Sequence, residues 1–144
     1  MKIVLQRVSS ASVKVDSEIV GSIDHGMLLL IGFSSNDTQE SILPTLEKIV
    51  KLRIFSDEEG KMNKSVLDVN GSALLVSQFT LYADTKRGNR PSFIEAARPE
   101  QAIPFYEFFI AEMKKRISKV ETGIFGADMK VELVNDGPVT IVFD

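Results

Sequence analysis

The chain has no cysteine, no tryptophan and a single histidine, His25. Each absence removes a class of chemistry. Without cysteine there is no disulfide, no thiolate nucleophile and no sulfur ligand for a metal, and a reducing compartment is the natural home. With one imidazole there is no His/Cys cluster for zinc, and a Ser-His-Asp relay has only His25 to draw on. His25 lies between Asp24 and Gly26, the setting of an exposed turn residue. Long apolar runs are also missing. Nothing approaches the roughly 20 residues of a membrane helix, and in the opening "MKIVLQRVSS" Gln6 and Arg7 end the apolar run too early for a signal peptide. Basic excess is absent too: 17 Lys and Arg against 20 Asp and Glu leave a net charge of −3. That counts against a wide nucleic-acid surface, though not against a few phosphates held by a local cluster. Together these features point to a soluble, cytoplasmic protein. There is no G-x-S-x-G elbow, and "GNRPS" and "NGS" fit no phosphate-loop pattern. Asp57, Glu58 and Glu59 read as a solvated turn rather than a Mg²⁺ cage.

What is present suits one ordinary domain over 1–144: 44% hydrophobic and 26% charged residues, enough for a single core. "KIVLQRVSSASVKV" alternates apolar residues as a strand does. "SEIVGSI" and "GMLLLIGF" follow across the turn Asp24-His25-Gly26, and Met27 to Phe33 is apolar on both faces, as a central strand would be. Asn36, Asp37 and Thr38 offer helix caps, and Ile42, Leu46, Ile49, Val50 and Phe55 then fall at helical spacing, predicting a helix to about Phe55. Ala73 to Phe79 reads as a strand and Thr85 to Arg98 as a long loop. Pro99 opens a second helix with Ala102, Phe105, Tyr106, Phe109, Ile110 and Met113 along it. Lys114, Lys115, Arg116 and Lys119 crowd its end and read as complements to the helix dipole. Three strands close the chain: Val120 to Phe125, Met129 to Val134 and Val139 to Phe143. Many strands, two helices and early hairpins make an α+β fold with antiparallel pairing prominent.

Two stretches do not fit a plain core. In "LLVSQFTLYADTKRGNRPSF" a buried strand ends in Ser77, Gln78 and Thr80 and runs into a basic loop. Strand-end polarity is the ordinary reading. A turn there would instead bring Ser77, Gln78, Phe79 and Thr80 to one cleft. In "VNDGPVTIVFD", Gly137 and Pro138 stand between two strand-like runs, although proline cannot donate to a ladder. A hairpin turn is the ordinary reading. A cis Gly-Pro bond would turn two carbonyl oxygens outward, able to accept from an ammonium group and wall off one side of it.

"SQFTL" at Ser77–Leu81 and "NDGPVT" at Asn135–Thr140 resemble the two signature motifs of D-aminoacyl-tRNA deacylases, with no departure inside either. The likeness continues in "QRV" at Gln6–Val8, "RIFSDEEGKMN" at Arg53–Asn63, "RGNRPSF" at Arg87–Phe93 and "TGIFGADM" at Thr122–Met129. The resemblance implies a largely antiparallel, barrel-like sheet with two main helices. It implies a homodimeric esterase without cofactor or metal that cleaves D-amino acids from the 3′ ribose of tRNA. Carried onto this chain, Ser77, Gln78, Phe79 and Thr80 line one wall. Gly137 and Pro138, cis and inserted into the partner's cleft, form the selecting edge. Phe125, Met129 and Ala102 resemble pocket residues, and Arg7 a brace for the edge. Lys86, Arg87 and Arg90 would meet phosphates near the tRNA 3′ end, the alternative being a solvated turn. An aminoacyl ester is already activated, so positioning and an oxyanion site near the Phe79 and Thr80 N–H groups suffice. Thr80 as a nucleophile lacks a visible base. Three rivals remain from the sequence: a non-catalytic binder of tRNA 3′ ends, a small-substrate esterase or peptidase that would need a conventional base, and a partner of a synthetase. A chain starting at Met1 favours the independent enzyme.

Overall fold

The computed structural model describes residues 1–144. Strand β1 (Lys2–Val15) is the spine. Its alternating Ile3, Leu5, Ala11 and Val13 are buried. One edge is shared by halves: the first half pairs antiparallel with β3 (Gly26–Gly32) and the second with β2 (Glu18–Ile23). The other edge is taken along nearly its whole length by β8 (Lys130–Phe143). Beyond β3 the sheet continues with β6 (Ser72–Ser77) and β7 (Val120–Thr122), both joined by parallel pairing. The order β2-β1-β3-β6-β7 puts β2 and β7 at opposite ends, yet the sheet curls until they meet. A Cβ at Gly21 of β2 would lie 2.5 Å from the Thr122 carbonyl oxygen of β7, so only glycine permits that closure. A small hairpin, β4 (Phe55–Ser56) with β5 (Met62–Lys64), stands apart.

Because β3 and β6 are covered on both faces, their side chains divide between two cores. Leu28, Leu74 and Val76 meet Val8, Val13 and Ile23 inside the curled sheet. Met27, Leu29, Ile31 and Leu75 meet the helices on the outside. Helix α1 (Gln39–Lys51) starts at a capping box in which Thr38 and Ser41 exchange hydrogen bonds, and presents Ile42, Leu46, Ile49 and Val50. Helix α2 (Pro99–Lys114) presents Ala102, Tyr106, Phe109 and Met113. The Tyr106 hydroxyl donates to the Leu75 carbonyl at 2.7 Å, and burial pushes its phenol well above the ordinary value. No helix is long and apolar enough to cross a membrane, which says nothing of barrel strands.

Several boundaries differ from the periodicity. Helix α1 stops at Lys51, because Leu52 is already extended; Ile54 and Phe55 are buried in the outer core as irregular chain and strand. Strand β6 ends at Ser77, two residues early, and β7 ends at Thr122. The two runs around Gly137-Pro138 are one strand, not a hairpin: both keep the same direction against β1, from Lys14↔Lys130 to Ile3↔Phe143. The sheet is mixed, with the β1 pairs antiparallel and the β3–β6 and β6–β7 pairs parallel.

Candidate functional site

A cleft of about 270 Å³ opens where β3 and β6 end, between the start of α2 and the segment after β7. The local cause is the break at Ser77. Gln78 donates its N–H to the Ile31 carbonyl at 2.7 Å, and the chain then winds into a 3-10 turn, Phe79–Tyr82. The strand alternation that would separate Ser77 from Gln78 stops there, and Ser77, Gln78 and Phe79 all line the cleft. Opposite them lie Ala102 of α2, Phe125 and Met129. Phe125 rests against the Tyr106 ring, centroids 6.0 Å apart. Thr80 is exposed beside the cleft rather than on its wall, and the Gln78 amide donates to its hydroxyl.

The 3-10 turn also leaves donors free. The N–H groups that begin a helical turn have no acceptor behind them, and those of Phe79 and Thr80 form no bond within the chain. No general base faces them. His25 sits at the start of β3, where its carbonyl accepts from Ser72. Ser77 lies five residues further along β6, roughly 16 Å away at about 3.3 Å per residue. The His25 ring packs edge-on against Phe55. The one carboxylate lining the cleft, Asp128, is 86% exposed and bonded to Lys130 at 3.0 Å. The candidate metal ligands do not gather either: no group of three or more His, Cys, Asp or Glu is placed to hold an ion.

A second hollow of about 570 Å³ adjoins the first across Phe79, Ala97, Phe125 and Gly126. Phe79, 56% exposed, meets Phe93 edge to face at 5.1 Å, and Ile94 is 92% exposed. Arg98 and Pro99 complete this rim. Sequence reading passed over Arg98, Phe93, Ile94 and Asp128. Two apolar residues inside a polar loop were the signal for Phe93 and Ile94; Arg98 carried none beyond preceding a helix-opening proline. Lys86, Arg87 and Arg90 lie on the neighbouring loop, closed by paired backbone bonds between Asp84 and Ser92 at 2.8 and 3.0 Å. All three are exposed and none is ion-paired.

Gly137 and Pro138 are not at this cleft. Val131 lines it, and Gly137 is six residues further along β8, roughly 20 Å away. There Val8 pairs with Asn135 and Gln6 with Thr140, so residues 136–139 stand opposite Arg7 alone and bulge from the sheet. Their peptide bond is cis, and both residues are exposed. Arg7, only 8% exposed, holds the bulge. Its Nε donates to the Asp136 carbonyl at 2.9 Å and its second arm to the Ile54 carbonyl at 2.7 Å. Asn135 ties the base of the bulge through the Arg7 and Val139 carbonyls. Gly137 has φ +137, and a Cβ there would sit 2.8 Å from Val139 Cγ2, so glycine is required.

A family model described as D-Tyr-tRNA(Tyr) deacylase matches residues 4–144. The chain is similar to a D-aminoacyl-tRNA deacylase of Flavobacterium psychrophilum, 56% identical over 145 residues that cover 100% of this chain and 97% of that protein. It is 57% identical to a D-aminoacyl-tRNA deacylase of Chloroflexus aurantiacus over 144 residues, 100% of this chain and 90% of that one. Among solved structures, a c-Myc DNA Unwinding Element Binding Protein superposes with a TM-score of 0.94 at 44% identity, covering 100% of this chain and 98% of that one. A structure titled as a probable eukaryotic D-amino acid tRNA deacylase superposes with a TM-score of 0.85 at 17% identity, over 99% and 97%; that likeness is one of fold.

Proposed function

Because the chain belongs to the D-Tyr-tRNA(Tyr) deacylase family, whose members hydrolyse the aminoacyl-tRNA ester, we propose that it releases D-amino acids from the 3′ ribose of tRNA, releases glycine too, and spares L-amino acids. The observation that carries this reading is a cleft walled by the Gln78 amide and the Ser77 hydroxyl beside the free Phe79 and Thr80 N–H groups, its one carboxylate, Asp128, being exposed and paired with Lys130. Such a wall suits an ester that is already reactive. Water attacks the carbonyl carbon while the neighbouring ribose hydroxyl orients it, accepting its proton and passing its own to the departing ribose oxygen. The carbonyl oxygen gains charge and is held by the Phe79 and Thr80 N–H groups. The bond to the ribose oxygen then breaks, and that oxygen receives a proton. Losing one oxyanion donor of this kind costs about 3 kcal/mol of barrier. Thr80 takes no covalent part, since nothing is placed to activate its hydroxyl.

Selection of the D form belongs to Gly137 and Pro138 of a second subunit. The bulge is exposed, braced by a buried arginine and too far from its own cleft to act there, which supports a homodimer that inserts it in trans. Carbonyl oxygens on that edge accept from the α-ammonium group. With ammonium and ester carbon fixed, a D side chain points away from the edge and an L side chain runs into it. Lys86, Arg87 and Arg90, with Arg98, face the phosphates of the tRNA 3′ end.

The test is single-turnover deacylation of D-tyrosyl-tRNA. Wild type is expected to cleave it, whereas a binder of tRNA ends leaves it intact. Thr80→Ala is expected to retain the rate within about tenfold, the net worth of the one neutral hydrogen bond it makes with Gln78. A dead Thr80→Ala that still binds tRNA overturns the substrate-assisted reading.

A further inference from the structure

The cations at the end of α2 look like complements to its dipole when read in sequence. The fold adds the end of α1 to them. Arg116 hydrogen-bonds Glu47 of α1 and Glu112 of α2, Lys51 forms an ion pair with Glu47 at 3.6 Å, and Lys115 donates to Glu112 at 2.9 Å. Two carboxylates thus answer three cations, while Lys48, Lys114 and Lys119 beside them are exposed and unpaired. In a chain of net charge −3, this end of the helical layer is locally basic. A dipole explains a cation in one last turn; it does not call for unpaired lysines on two helices drawn together.

We infer that this joint basic end contacts the phosphates of the paired acceptor stem of the same tRNA whose 3′ end enters the cleft, an inference that rests on the function proposed above. Distance selects this occupant. Helix α2 begins at the cleft, where Ala102 lines the wall and Arg98 the adjoining rim, and ends at the basic cluster. Its 16 residues span roughly 24 Å at about 1.5 Å each. At roughly 3.4 Å per stacked nucleotide, that length is about seven nucleotides. A strand whose last ribose lies in the cleft has by then passed its unpaired tail and reached the duplex. Between the two basic ends the exposed face of α2 carries Glu100 and Glu107, so the RNA is held at both ends of the helix and not along it.

The experiment compares wild type with the triple variant Lys48→Glu, Lys114→Glu, Lys119→Glu on two substrates: D-tyrosyl-tRNA and D-tyrosyl-CCA trinucleotide, which has no stem. The readout is the ratio of kcat/KM on tRNA to that on the trinucleotide, across a salt series. The expected result is a ratio at least tenfold lower at low salt, with a slope against log salt shallower by about 2.7, or 0.9 for each of three phosphate contacts. A ratio that does not change overturns the inference, including the case where both substrates suffer alike. If wild type cleaves neither ester, the deacylase reading fails by itself. Binding of uncharged tRNA by the two proteins then decides the patch: equal affinity and equal salt slope overturn it.

Discussion

Two residues set the geometry of the bulge, and they were legible to different degrees. Gly137 stood out because glycine followed by proline inside a strand pattern needs a reason, and the ladder supplies it: four residues of β8 opposite one of β1. Arg7 is marked as a brace only by the family resemblance; in local pattern it is one strand residue among others, because its contact with Asp136 spans 129 positions and leaves no trace there. Gly137→Ala is expected to shift the bulge, because a Cβ meets Val139 and the Arg7 guanidinium at 2.8 and 3.1 Å. A displacement near 1 Å at such an edge lowers kcat/KM on D-tyrosyl-tRNA by roughly a hundredfold. The fold itself loses only about 1–3 kcal/mol from the strained backbone. Steady-state kinetics beside thermal melts separate the two effects.

Elements were read well where their period is long and badly where polar ends interrupt it. Helix α2 begins at Pro99 as its residues dictate, since proline at the first position costs no hydrogen bond. Strand β6 was extended by two residues because Phe79 looks like a strand residue, whereas the bond from the Leu81 N–H to the Gln78 carbonyl shows that the chain has turned there. That same turn makes the cleft, so the error fell at the site. The pairing of α1 with α2 through Arg116 was not legible either, its partners being 69 residues apart. It has a consequence in acid. The Arg116 hydrogen bonds hold Glu47 and Glu112 below their ordinary 4.5. A carboxyl lowered in the folded state adds stability that is complete above its unfolded value and is lost as pH falls through the folded one. The melting temperature is therefore expected to fall as pH drops below about 4.5, and Arg116→Ala to flatten part of that fall. A variant with an undiminished acid slope contradicts the assignment.

At the scale of the whole molecule, α+β class and two helices followed from pattern, whereas the parallel pairing of β3, β6 and β7 and the curl that joins β2 to β7 did not. Crossovers through helices decide strand direction, and no residue in a strand states its neighbour. The proposed pairing of one subunit's cleft with the other's edge belongs to this scale. Mixing Gly137→Ala chains with Gln78→Ala chains is expected to restore activity, because a mixed dimer built in trans has one site with both defects and one with neither. If each cleft used its own bulge, every site in the mixture would carry one defect and no activity would return. The central claim is that main-chain atoms judge handedness while the ester is cleaved with little help from acid or base. Single-turnover rates on D-tyrosyl-, glycyl- and L-tyrosyl-tRNA test it most directly. The account predicts rapid release of D-tyrosine, measurable release of glycine and none of L-tyrosine; glycyl-tRNA as inert as the L ester, or the L ester cleaved as fast as the D, would contradict it.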